Sequence, residues 1–336
     1  MANLENRQYQ FDFIKGIAII SVILLYAGIS HKYFSSYWIG QSVPLFIAVS
    51  CLLGCLSLSK NGSIKNYFAK ERVKRTFLRI FGPFILAQIL LAAIYVILGN
   101  FSIKGFLAGG GIGPGSYYPW VYLQLWILVP FLFYVMGKNT IIGSIVIILV
   151  SIGINVLFST LSSSEGFQIP FISHKREAFV FLYRLCVNRY LFIFPLVYLI
   201  VEKRLKYNIL LFLGFVGAAY IYLSVYKDLN TEPFFFNSGW AMFEFPSHFY
   251  TMLLFIFLYK IYGYIPKIIQ DIICRIGKYS WEIFNMQMIY FTINGSLNIN
   301  KYLNLAFSLF ICIVPVCTYE FMKKPIEIDC KYGHST

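Results

Sequence analysis

The stretch Phe11-Asp-Phe-Ile-Lys-Gly-Ile-Ala-Ile-Ile-Ser-Val-Ile-Leu-Leu-Tyr-Ala-Gly28 places Asp12 and Lys15 at the entrance of a run otherwise apolar enough to sit in lipid. Eleven residues separate Lys15 from Tyr26. On an α-helix that is within about 20° of three full turns, so the two share one face, about 16 Å apart along the axis. Two readings stay open. Either Lys15 snorkels to the membrane surface while Tyr26 packs as an ordinary aromatic, or the shared face turns away from lipid and both residues have a use there.

The rest of the chain sets the class. Of its 336 residues, 59% are hydrophobic and only 12% charged, with mean hydropathy +0.69, far from the balance of a water-soluble domain. Apolar runs long enough to cross about 30 Å of hydrocarbon recur along the whole length. They predict about ten transmembrane helices, over 11–30, 38–58, 77–99, 117–136, 140–160, 179–201, 207–226, 243–263, 280–298 and 302–322. The ninth is interrupted by Asn285, Gln287 and Asn294. Only loops remain between the runs, so the expectation is a single all-α integral membrane domain over 1–336.

Charge gives an orientation. With a cytoplasmic N-terminus, twenty of the 28 Lys and Arg fall on inside segments, seven of them within 60–79. Six (Lys32, Lys104, Lys175, Arg176, Lys227 and Lys301) fall outside, and Arg184 and Arg189 lie within the sixth run. This bias predicts that both termini are cytoplasmic in a multi-pass protein of the cell membrane. The net charge of +14 is therefore topological. Its division among separate loops argues against nucleic-acid binding. The N-terminus shows no short apolar core followed by a small-residue cleavage site, so the first run reads as a retained span. Seven cysteines form no CxxC pair and no cluster with histidine, which predicts neither disulfides nor a metal site. Cys51 and Cys55, one turn apart, read as small packing residues.

Asp12, Lys15 and Gly16-Ile17-Ala18 resemble the first motif of the acyltransferase family 3 membrane proteins, which transfer acyl groups, usually acetyl from acetyl-CoA, onto cell-envelope sugars. Further stretches are similar to that family in the same order. They are Val43–Ser50, Tyr67–Pro83, Gly113–Trp120 followed by Gln124 and Pro130, Asn188–Phe194, and Arg275–Phe284. The chain departs from the pattern at three places. Tyr26 stands where the family has histidine, Gln287 where the ninth span usually ends its motif with histidine, and Lys323-Lys324-Pro325 where Glu-Lys/Arg-Pro is common.

The resemblance implies a membrane O-acyltransferase with acetyl-CoA as acyl donor and a cell-envelope carbohydrate or lipid-linked sugar as acceptor, Tyr26 occupying the base position. The departures leave a second class open, a catalytically degenerate relative acting in glycan or lipid transport or assembly. A donor carrying phosphates needs fixed positive charge at the inner face. Lys15 and the series Arg72, Lys74, Arg75 and Arg79 provide it, with Arg75 and Arg79 on one helical face. The same residues also serve the charge bias. Arg189, deep in the sixth run beside Asn188, lines a cavity or pairs, because an intramembrane arginine is costly. Arg184 is nearer the surface. Glu244 and His248, four apart, form either an acid–imidazole base pair or a helix start behind Pro246. Trp120 and Tyr118, with Tyr117, stack on sugar or belong to an aromatic belt, and Gln287 is a candidate substrate contact. The four histidines, His31, His174, His248 and His334, are poor substitutes for the missing one. Glu282 and Glu320 are candidate partners for the basic entry residues. The oligomeric state is not legible.

Overall fold

The computed structural model describes residues 4–28, 32–61, 63–97, 99, 101–102, 106, 110–163, 175–231, 234–236, 244–294 and 300–322. His31, His174, His334, Lys104, Cys330 and the Lys323-Lys324-Pro325 motif lie outside the described residues, as does the side chain of Glu320. Every regular element among the described residues is helical: α1 (Leu4–Tyr26), α2 (Ser42–Asn61), α3 (Lys70–Ile97), α4 (Tyr118–Lys138), α5 (Thr140–Ser163), α6 (Lys175–Leu185), α7 (Ile193–Val201), α8 (Tyr207–Ile221), α9 (Ser247–Ile261), α10 (Lys267–Lys278), α11 (Ser280–Asn294) and α12 (Lys301–Met322). Two 3₁₀ turns, Lys32–Tyr37 and Ile39–Gln41, lead into α2, and a π-helical turn, Tyr222–Tyr226, extends α8.

Local chemistry explains several boundaries. Asn139 separates α4 from α5 because its Oδ1 accepts the amides of Ile141 and Ile142, each at 3.1 Å, as an N-cap does. Pro119 opens α4, where its missing N–H costs nothing.

Six helical stretches are long and apolar enough to cross a membrane: Tyr9–Tyr26, Phe34–Lys60, Lys70–Ile97, Tyr118–Lys138, Thr140–Ser163 and Tyr207–Tyr226. The arrangement is inside-out relative to a soluble protein. Leu86, Ile141 and Phe215 are about 70% exposed, whereas Gln41, Asn188, Arg189, His248, Thr251 and Gln287 are buried. An apolar exterior around a polar interior suits a lipid surround, where backbone groups are satisfied internally.

Two expectations are corrected. No single helix covers 179–201; α6 and α7 are separated by a 3₁₀ turn, Val187–Tyr190. The segment between the eighth and ninth runs, read as a loop, holds α10, which packs across α1. Glycine makes that crossing possible. A Cβ on Gly16 would strike the carbonyl of Ile273, and one on Gly277 would strike that of Asp12. Cys274 Sγ donates to the Tyr9 carbonyl at 3.2 Å, and burial pushes its thiol up to about 11. The entrance of α1, with Asp12 and Lys15, is thus clamped by a second helix.

Candidate active site

A cavity of about 230 Å³ lies among α1, α2, α3, α4 and the α10–α11 junction. Lys15, Arg79 and Lys278 line one end of it. From Lys15, α1 rises about 10 Å to Val22, and α11 rises about 6 Å from Ser280 to Phe284. The far end is aromatic. Tyr118 and Phe284 ring centroids lie 5.6 Å apart, and Trp281 stacks on Phe284 at 5.3 Å. The Trp281 indole donates to the Ile80 carbonyl at 3.0 Å and so ties α11 to α3. Cations that attract an anion, backed by an apolar aromatic shaft, form a site for an elongated ligand with one charged end. Lys15 also pairs with Asp12 at 2.5 Å, one turn back on α1, which orients its ammonium.

Beyond this cavity, past the loop before α4, lies a buried polar cluster, the polar compartment. Gln88 holds the loop, donating to the Ile112 carbonyl at 3.0 Å and accepting the Ile112 amide at 2.6 Å. Gly115 has φ +89°; a Cβ there would sit 3.0 Å from the Phe284 ring and 3.7 Å from the Tyr26 hydroxyl. Tyr26 therefore stands just beyond the aromatic end, packed on Phe291 at 6.0 Å. Its electrostatic neighbours are Tyr190 and Arg184. Adjacent residues Tyr117 and Tyr118 face different ways: Tyr118 lines the cavity, whereas Tyr117 neighbours Tyr26, Tyr190 and Arg189.

The polar compartment is built on the break between α6 and α7. Breaking a helix inside a packed bundle strips backbone groups of their partners, and leaving them buried and bare costs free energy. Three neighbouring helices supply replacements. Gln124 on α4 donates to the Leu185 carbonyl at 2.7 Å and accepts the Val187 amide at 3.0 Å. Ser151 on α5 donates to the Asn188 carbonyl at 3.3 Å, and Asn188 Nδ2 returns a bond of 3.3 Å to the Ser151 carbonyl. His248 on α9 meets the Arg189 carbonyl at 2.6 Å. A carbonyl only accepts, so Nε2 of His248 carries the proton and Nδ1 keeps its lone pair. Nδ1 has no hydrogen-bond partner among the described residues. The Arg189 guanidinium sits 5.7 Å from the rings of both Tyr183 and Tyr190, whose faces compensate its burial.

The structure therefore brings Lys15, Arg79 and Tyr118 into one cavity and Tyr26, Arg189 and His248 into or beside the compartment behind it. Arg72 and Arg75 are not among the lining residues. Arg72 lies over the Tyr67 ring at 4.4 Å, and Arg75 is exposed. Trp120 faces away, packing on Phe81 and Phe84 and donating to the Gly110 carbonyl at 2.6 Å. Glu244 and His248 are bonded to different groups: Glu244 accepts from Tyr220, and from Thr231 at 3.3 Å, while His248 bonds the broken backbone. Gln287 is fully buried, and neither end of its amide has a partner among the described residues. It lies on α11 between Phe284, a cavity residue, and Phe291, which touches Tyr26.

Residues missed from sequence include Lys278 and Trp281, inside the quoted Arg275–Phe284 motif, and Gln124, whose two bonds reach a segment some sixty positions away. No family model, curated protein or solved structure matches the chain.

Proposed function

We propose that the protein is a ten-crossing membrane O-acyltransferase of the acyltransferase 3 type in the cell membrane, with both termini cytoplasmic. It would move acetyl or another short acyl group from acyl-CoA to a hydroxyl of a cell-envelope carbohydrate or lipid-linked sugar. The observation that carries this reading is the cavity with Lys15, Arg79 and Lys278 at one end and Tyr26 just past the other. The six long apolar stretches count toward the ten, and α6–α7, α9, α11 and α12 supply the rest. The charge bias supports setting the cationic end of the cavity on the cytoplasmic side, where acyl-CoA is made.

In this reading phosphates of the donor rest on Lys15, Arg79 and Lys278, and the acyl thioester points along the aromatic shaft toward Tyr26. The acceptor hydroxyl enters from the Tyr117–Tyr190–Arg189 compartment. Its oxygen attacks the thioester carbonyl; a C–O bond forms, the C–S bond breaks, and the hydroxyl proton ends on the departing thiol. A phenol with an ordinary pKa near 10 is a weak base at neutral pH. Tyr26 then acts mainly by positioning the acceptor.

One observation favours the second reading, a degenerate transport or assembly protein: His248, the described histidine of the compartment, already serves the backbone of the broken span. CoA release by purified protein with lipid-linked sugars separates the two. Under the enzymatic reading, Tyr26→His raises acetyl transfer at least about tenfold, the low edge of what a positioned base contributes. Absence of turnover in wild type, Tyr26→His and Tyr26→Phe alike would give the transport reading the lead.

A further inference from the structure

Two apolar grooves flank the α7/α8-facing end of α9, away from the cavity described above. One, of about 180 Å³, is walled by Phe11 of α1, Leu52 and Leu56 of α2, Ile200 and Val201 of α7, and Phe255 and Tyr259 of α9. The other, of about 580 Å³, lies between α8 and α9 and includes Tyr207, Leu211, Leu253 and Phe257. Ile256 lines both, so α9 forms the ridge between them. Each groove carries one cation, Lys203 in the first and Lys260 in the second.

Lys203 holds a conformation that favours glycine. It follows the last turn of α7 with φ +55°, and its amide bonds the Ile200 carbonyl at 3.1 Å in a helix-ending turn. A side chain at such a left-handed position is unfavourable, and glycine is the usual occupant. The Lys203 side chain lines the apolar groove and supplies the one cation there among the described residues. Lys260 is held over the Tyr207 ring at 4.0 Å, which fixes its ammonium at the rim of the second groove. Arg204, next to Lys203, is committed to Thr140 at 2.9 Å.

We propose that these grooves bind one anionic glycerophospholipid of the surrounding bilayer, its two acyl chains straddling Ile256 and its phosphate lying between Lys203 and Lys260. Paired grooves match paired chains, and two cations match a phosphate-bearing headgroup. The proposal needs only a membrane surround and is independent of acyl transfer.

Native mass spectrometry of the full chain in detergent tests it, with dioleoylphosphatidylglycerol and dioleoylphosphatidylcholine supplied at equal concentration. Wild type should retain the anionic lipid at least about tenfold better, since each basic residue near a lipid surface favours anionic lipid by roughly fivefold. The double variant Lys203→Ala, Lys260→Ala should lose that preference, while Lys227→Ala should keep it. Lys203→Gly separates binding from backbone strain. It should melt about 1–3 °C higher than wild type without lipid, yet gain less on adding phosphatidylglycerol. The one-chain lysophosphatidylglycerol should bind at least tenfold more weakly than the two-chain lipid. Equal retention of both headgroups by wild type, an unchanged preference in the double variant, or equal binding of one-chain and two-chain lipid would overturn the assignment.

Discussion

Helix α1 and the α6–α7 segment both carry charge into an apolar bundle, and they solve the problem differently. On α1 the backbone ladder continues through Asp12, Lys15 and Gly16, and the charge is met locally by an ion pair one turn apart. Around Arg189 the helix is given up, and Gln124, Ser151 and His248 are recruited from three other helices to replace its bonds. A charge at a helix entrance is inexpensive because water and a neighbour reach it. A break in mid-bundle is stable only if distant residues are already in place. The first arrangement yields a cation lining a cavity; the second yields a buried polar cluster with its arginine near two tyrosine rings.

The sharpest way to break the contrast is Gln124→Leu. It strips the Leu185 carbonyl and Val187 amide together, and two partly buried groups left without partners should cost about 2 kcal/mol, read as a fall in melting temperature in micelles. A loss under 0.5 kcal/mol would mean that the break does not depend on its α4 support. On the α1 side the comparable test is steric. Gly277→Val forces α10 off the Asp12 carbonyl and should cost about 1–3 kcal/mol, whereas Gly82→Ala, on an open face of α3, should be neutral or stabilise by up to about 1 kcal/mol.

Under the proposed acyl-CoA reading, Arg79→Ala should weaken CoA binding by about 1–3 kcal/mol by calorimetry, the scale of a hydrogen bond to a charged group, while Arg75→Ala, outside the cavity, should leave it near wild type. Equal effects would dissolve the distinction between a lining cation and a topological one. The smallest change expected is from Asp12→Asn. Its pair with Lys15 is partly exposed, so stability should fall by no more than about 1 kcal/mol, in contrast to Gln124→Leu.

How much of this was legible can be judged residue by residue. The apolar runs and the Lys15–Tyr26 spacing follow from helical geometry and hydropathy, properties of consecutive residues. Lys15 does line a cavity that ends near Tyr26. The break within 179–201 was not legible, because Asn188 and Arg189 read as polar residues carried within one span, and the groups that stabilise the break lie on α4, α5 and α9. For the same reason Glu244 and His248 read as a pair from their spacing, yet bond to Tyr220 and to the Arg189 carbonyl. The packing of α10 on α1 was not legible because it rests on two glycines some 260 positions apart.

The sequence by itself determined that the chain is helical and apolar outside, and that it carries its basic residues in a biased pattern. Those features depend only on local periodicity and on the free energy of moving side chains between water and lipid. Tertiary structure alone decided which of the many basic residues share a cavity, and where a helix could stop inside the bundle. Both depend on contacts between residues far apart in the chain: a cation becomes a binding group only beside an enclosed space, and an exposed backbone amide survives only opposite a partner.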